Sequence, residues 1–167
     1  MSLSMGFIMS SIKIRDAMKS DAKIICDMAA ALSAHEGVTD PRFTPADFEK
    51  YGFGEKKQFN SLVAELGEQV VGYLIFCGSF HVGLGTPGFN ILDLFVGNEF
   101  RRNGAGQKLL STLSLYCIET GGSWITWQCQ PKNETALHFY RAIGGRQYAS
   151  LDFELADSAL SNLAKMA

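Results

Sequence analysis

The apolar run Ile91-Leu92-Asp93-Leu94-Phe95-Val96 is followed by a basic glycine turn, Arg101-Arg102-Asn103-Gly104-Ala105-Gly106. An amphipathic run over residues 107–113 comes next. A strand, a glycine turn and a helix start in that order form an anion-binding arrangement. The first N–H groups of a helix have no partner inside it, and the helix dipole favours negative charge there. Glycine lets a bulky phosphate come close to the backbone. The turn therefore predicts a phosphate-bearing ligand on an α/β scaffold.

A chain of 167 residues can bury a real core, and residues 10–167 are read as a single domain. The net charge of −2 gives no global basic surface, so nucleic acid is not an expected partner. No apolar run is long enough for a membrane helix. Residues 1–9 read as an N-terminal extension, partly not native, because Met5 and Met9 are alternative starts. They lack the basic region of a signal peptide. Cys26, Cys77, Cys117 and Cys129 form no C-x-x-C pair, which argues against zinc and against a disulfide scaffold. A reducing, cytoplasmic location and no metal are the expectations.

Alternation predicts a first strand over 12–15. Ser20 caps a helix to Glu36, stopped by Gly37. Thr44 and Pro45 open a shorter helix that ends near Gly52. Residues 60–66 and 70–76 read as a hairpin, and 79–88 as a glycine-rich loop. A near-continuous apolar strand covers 91–96, as expected if both faces are covered. A helix covers 104–119, a strand 124–129 and a helix 133–143. One or two strands follow over 146–155, with a terminal helix over 157–165. The prediction is an α/β (α+β) fold. A mixed, mostly antiparallel sheet of six to seven strands is flanked by helices, in the order β-α-α-β-β-β-α-β-α-β.

The spacing R-x-x-G-x-G after the fourth strand resembles the acetyl-CoA pyrophosphate loop of the GCN5-related N-acetyltransferases (GNAT). Asn133, Ala136, Phe139-Tyr140 and Gly144 follow N-x-x-A-x-x-F-Y-x-x-x-G, which is similar to that family's second cofactor segment. The hairpin before the cofactor strand is a third match. Within the superfamily, the stretches 34–36, 52–55, 62–65, 93–96 and 163–167 resemble the diamine (spermidine/spermine) and thialysine N-acetyltransferases. The resemblance implies direct acetyl transfer from acetyl-CoA to a primary amine of a small molecule, by a homodimer. A non-catalytic acyl-CoA-binding module and a protein lysine or N-terminal acetyltransferase are the alternatives on the same fold.

Acetyl transfer needs an unprotonated amine. With an amine pKa of about 10.4, only about one molecule in a thousand is unprotonated at neutral pH. A base or a desolvated pocket must shift that balance. The resemblance assigns the pyrophosphate to the amides of Arg102, Asn103, Gly104, Ala105, Gly106 and Gln107, with Arg101 beside them. It assigns the pantetheine arm to the backbone of Leu94, Phe95 and Val96, as recognition at a strand edge. An amide there also polarises the thioester carbonyl.

Tyr140 is expected to protonate the departing thiolate; packing on the stripe Ala136, Tyr140, Ile143 is its bland alternative. Asn133 suits a helix N-cap and, by resemblance, also contacts the coenzyme, as does the segment around Ala136. Asp93 is either the general base or a structural carboxylate, since a carboxylate in an apolar run needs a partner. His35 and Glu36 end the first helix, where the family binds its amine. Leu92 stands where the polyamine acetyltransferases carry an acidic residue. A leucine cannot neutralise a second ammonium group, so spermidine and spermine are disfavoured and smaller amines stay open.

Overall fold

The computed structural model describes residues 11–167, so the reading of 1–9 lies outside the described residues. The chain divides into two compact units, one ending at Gln128 and the other running from Cys129 to Ala167.

The first unit holds one five-stranded sheet in the order β1-β2-β3-β4-β5. Its strands are β1 (Ile12–Asp16), β2 (Asn60–Leu66), β3 (Gln69–His81), β4 (Thr86–Val96) and β5 (Ile125–Thr126). The first three pairings are antiparallel and β4 pairs with β5 in parallel. The mixed, mostly antiparallel sheet thus stands as expected, with fewer strands.

Helices cover both faces. Helix α1 (Ala22–Glu36) stops where the Gly37 and Val38 amides bond back to Ala34 and Ser33. Helix α2 (Pro45–Gly52) has proline in its first turn, and Thr44 and Asp47 satisfy each other's amides in a capping box. Ile25, Cys26 and Ala29 of α1 and Phe48 of α2 bury against Val63, Tyr73 and Ile75. Side chains alternate across a strand, so Leu62, Leu74 and Phe76 face the other way. There α3 (Ala105–Glu119) buries Leu109, Leu110, Leu113 and Cys117 along one stripe, and its Tyr116 ring meets Phe76.

The predicted loop over 79–88 is mostly strand. The ladder continues to His81↔Thr86, and the chain reverses over residues 82–85. Gly85, at φ 65°, makes so tight a reversal possible. Backbone pairing needs no apolar pattern, so a glycine-rich stretch can still form a ladder.

The second unit carries α4 (Glu134–Ala142) and α5 (Asp157–Ala164). The predicted strand over 124–129 shrinks to Ile125–Thr126, and no strand forms among the described residues of 146–155. Leu151 and Phe153 do alternate, but they stand 83% and 93% exposed. Alternation proposes a strand; only a hydrogen-bonded neighbour makes one, and the described residues of this unit supply none.

Candidate active site

Strand β4 is irregular where the chemistry is expected. Its register against β3 runs Gly72↔Val96 to Ile75↔Asp93, then shifts to Phe76↔Ile91. Leu92 is the extra residue of a β-bulge, a device that re-aims neighbouring side chains. Ile91 pairs with Phe76, whose ring meets α3. Asp93 pairs with Ile75, which packs with α1 and α2. Asp93 therefore lies on the α1 face, and the bulge puts Ile91 on the opposite one. Leu92 itself is 52% exposed.

Asp93 has a definite partner. The Tyr73 hydroxyl donates to its Oδ2 at 2.7 Å. Burial pushes the Asp93 carboxyl above the usual carboxylate range. The Tyr73 bond and the Leu94 amide oppose that rise, while the negative charge of Glu36 reinforces it. Glu36 is the last residue of α1, where the helix dipole disfavours a carboxylate. Its placement gains nothing for the helix. His35 precedes it on the same helix.

Among the described residues β5 pairs with β4 only at Phe89 and Asn90. The Gly97 amide bonds inward to Val71, and the Val96 carbonyl accepts from Arg101 Nε at 3.1 Å. Antiparallel alternation then turns Leu94 and Val96 outward and commits Phe95, opposite Tyr73, to the ladder. A ligand reading this edge meets Leu94 and Val96 first. The Arg101 guanidinium also lies 5.7 Å from the Phe95 ring centre, tying the turn to the strand.

Past that tie the backbone is strained. Arg102 has φ 65° and Gly104 has φ 81°. Positive φ in a non-glycine residue is uncommon and concentrates at ligand-binding turns. Gly104 is the N-cap of α3, with no side-chain cap. The first helical bond runs from the Lys108 amide to Gly104, so the amides of Ala105, Gly106 and Gln107 precede the ladder. With Asn103 exposed and Arg101 and Arg102 supplying positive charge, the residues present fit a pyrophosphate.

The remaining predicted residues belong to the second unit. Asn133 is the N-cap of α4, its side-chain oxygen accepting from the Ala136 amide at 3.2 Å. Tyr140 is half-buried on α4 and its ring lies 5.4 Å from that of Phe139. The Gly145 amide closes the helix on the Tyr140 carbonyl.

The residue that sequence reading missed is Tyr73. Its signal was a hydroxyl inside an apolar strand, which requires a polar partner. A groove lined by Asp16, Asn60, Ser61, Phe76 and Tyr116 lies elsewhere in the first unit and includes none of the predicted residues. Among the described residues, no cluster of three or more His, Cys, Asp or Glu side chains has metal-binding geometry, and no helix is long and apolar enough to cross a membrane.

A sequence model of the acetyltransferase (GNAT) family matches residues 27–144. Thialysine N-epsilon-acetyltransferase from Sus scrofa is 25% identical over 169 residues, covering 93% of this chain and 99% of that protein. L-ornithine N5-acetyltransferase from Arabidopsis thaliana is 28% identical over 79 residues, covering 47% of this chain and 35% of that protein. Among solved structures, an integron cassette protein from the mobile metagenome of V. cholerae superposes with a TM-score of 0.76 at 21% identity, covering 93% of this chain and 98% of that one. That last likeness concerns the fold alone.

Proposed function

The chain belongs to the acetyltransferase (GNAT) family, and from that premise we propose that it moves an acetyl group from acetyl-CoA directly to the primary amine of a small molecule. The favoured acceptor is a thialysine-like amino acid, with diamines next. The observation that carries this reading is Asp93, a half-buried carboxylate on the α1 face of the cofactor strand, next to its bulge. The near full-length similarity to a thialysine N-epsilon-acetyltransferase supports the acceptor class. The apolar Leu92 beside Asp93 supports a preference against spermidine and spermine.

Acetyl-CoA supplies an activated thioester. The amides of residues 102–107 receive its pyrophosphate, and the outward-facing backbone of Leu94 and Val96 pairs with the pantetheine arm. An amide on that edge polarises the thioester carbonyl. Asp93 accepts the proton the amine must lose, directly or through one water. Its raised proton affinity brings it nearer to neutral pH, where a base works best. Glu36, with His35 beside it on α1, attracts the cationic substrate. Tyr140 donates a proton to the leaving thiolate, a transfer about 1.5 pKa units uphill for an ordinary phenol of about 10 against a thiol of about 8.5, so it works in concert with departure of the thiolate. Asn133 holds the start of α4 and, with Ala136, contacts the coenzyme. Homodimer formation and a cytoplasmic location complete the proposal.

The test is the mass of the products after incubation with acetyl-CoA and thialysine. One acetyl group on the amino acid and none on the protein is the expected result. Acetylated protein as an intermediate would overturn direct transfer.

A further inference from the structure

We propose that Tyr73 is a positioning residue of this site, its phenol fixing one oxygen of the Asp93 carboxylate so that the other works on the substrate amine. The inference rests on the reading of Asp93 as proton acceptor.

Tyr73 is fully buried, at 0% exposure, and packs among Ile25, Cys26, Ala29, Phe48 and Val63. Phenylalanine would fill that space as well. A hydroxyl there costs free energy unless it is bonded, and the bond it makes is to Asp93 Oδ2 at 2.7 Å. The two residues come from different strands and are not opposite each other: Tyr73 faces Phe95, and Asp93 faces Ile75. They meet on the diagonal, inside the regular stretch of register from Gly72↔Val96 to Ile75↔Asp93 that ends at the Leu92 bulge. A buried phenol is committed to one orientation of one carboxylate.

Facing this pair, helix α1 contributes Glu36 and Cys26, and β4 contributes the Leu94 amide. Burial first, then the Asp93 charge, pushes the Tyr73 phenol far above its ordinary value. Tyr73 therefore stays protonated at every working pH and acts as a fixed donor, not a proton relay. Donation to the ionised carboxylate opposes the rise that burial and Glu36 impose on Asp93.

The experiment titrates the Asp93 carboxyl carbon by NMR in the wild-type chain and in Tyr73→Phe, and follows thiol release from acetyl-CoA with thialysine over the same pH range. Loss of the phenol should move both the NMR midpoint and the acid limb of kcat up by about one pH unit, with KM nearly unchanged. Turnover near the limb then falls about tenfold and recovers at higher pH. Replacing Tyr73 by 3-fluorotyrosine keeps the packing and strengthens the donor, so both should move down. This variant decides the matter if Tyr73→Phe proves too unstable to assay. An unshifted limb, with Asp93→Asn inactive, would overturn the role of Tyr73 and leave Asp93 as base. Full activity in Asp93→Asn would overturn the base and Tyr73 with it.

Discussion

Ile91 and Asp93, two residues apart on one strand, lie on opposite faces of the sheet because Leu92 bulges between them. The same bulge leaves the Leu92 side chain 52% exposed beside the carboxylate. Leu92→Glu should leave stability within about 0.5 kcal/mol, as exposed substitutions do. It adds a second negative charge near Asp93. The expected outcome is a rise in kcat/KM for spermidine of about fivefold relative to thialysine. An unchanged ratio would remove Leu92 from the determinants of specificity.

Gly104 opens α3 with φ 81°, and a Cβ there would meet no protein atom within 4 Å. The cost of a side chain is thus backbone strain, about 1–2 kcal/mol, together with crowding of the bound phosphate. Gly104→Val should weaken acetyl-CoA binding in calorimetry. Gly85 shares the left-handed conformation, at φ 65°, in the β3–β4 turn. Gly85→Ala should cost stability and leave acetyl-CoA affinity intact. Equal affinity losses in both variants would mean strain alone is responsible.

Tyr140→Phe should lower turnover about 10²–10³-fold and hardly change acetyl-CoA affinity, because a general acid acts on the transition state. Asn133→Ala removes the acceptor of the Ala136 amide and should cost about 1 kcal/mol of stability. Steady-state kinetics and chemical denaturation separate the two effects. A Tyr140→Phe enzyme with wild-type turnover assigns Tyr140 to packing.

Stability should fall in acid through Asp21. Burial pushes the Asp21 carboxyl up, but the Arg15 guanidinium at 2.7 Å and the Met18 amide outweigh it and hold the net value below the ordinary range. A depressed folded-state pKa means the unfolded chain binds protons more readily. The stabilisation is complete above the unfolded value of about 3.9 and is lost as pH falls through the folded value. Asp21→Asn should cost about 2 kcal/mol at pH 7 and flatten the acid branch of a urea-denaturation series. A parallel acid branch in both chains would exclude Asp21 as its source.

Much of this was legible in the sequence because it is local. A phosphate-binding turn of the proposed kind needs a glycine at a left-handed position before a helix, and Gly104 supplies it. The caps at Thr44 and Asn133 follow from side-chain chemistry within three residues. The long hairpin of β3 and β4 was less legible, since its outer half is held by main-chain bonds that glycine tolerates. The strand expected over 146–155 had the pattern but no hydrogen-bonded neighbour among the described residues. The Tyr73–Asp93 bond was hidden for a related reason. Each residue asked for a partner, but only the register between β3 and β4 sets them on one diagonal, and register leaves no mark in composition or periodicity.

The measurement that reaches furthest is thiol release from acetyl-CoA against thialysine, lysine, putrescine, spermidine, aminoglycosides and a lysine peptide. Release is expected with the small primary amines, fastest with thialysine and slower with spermidine. Acetyl-CoA binding with no release on any amine would contradict this and mark the chain as a non-catalytic acyl-CoA-binding module.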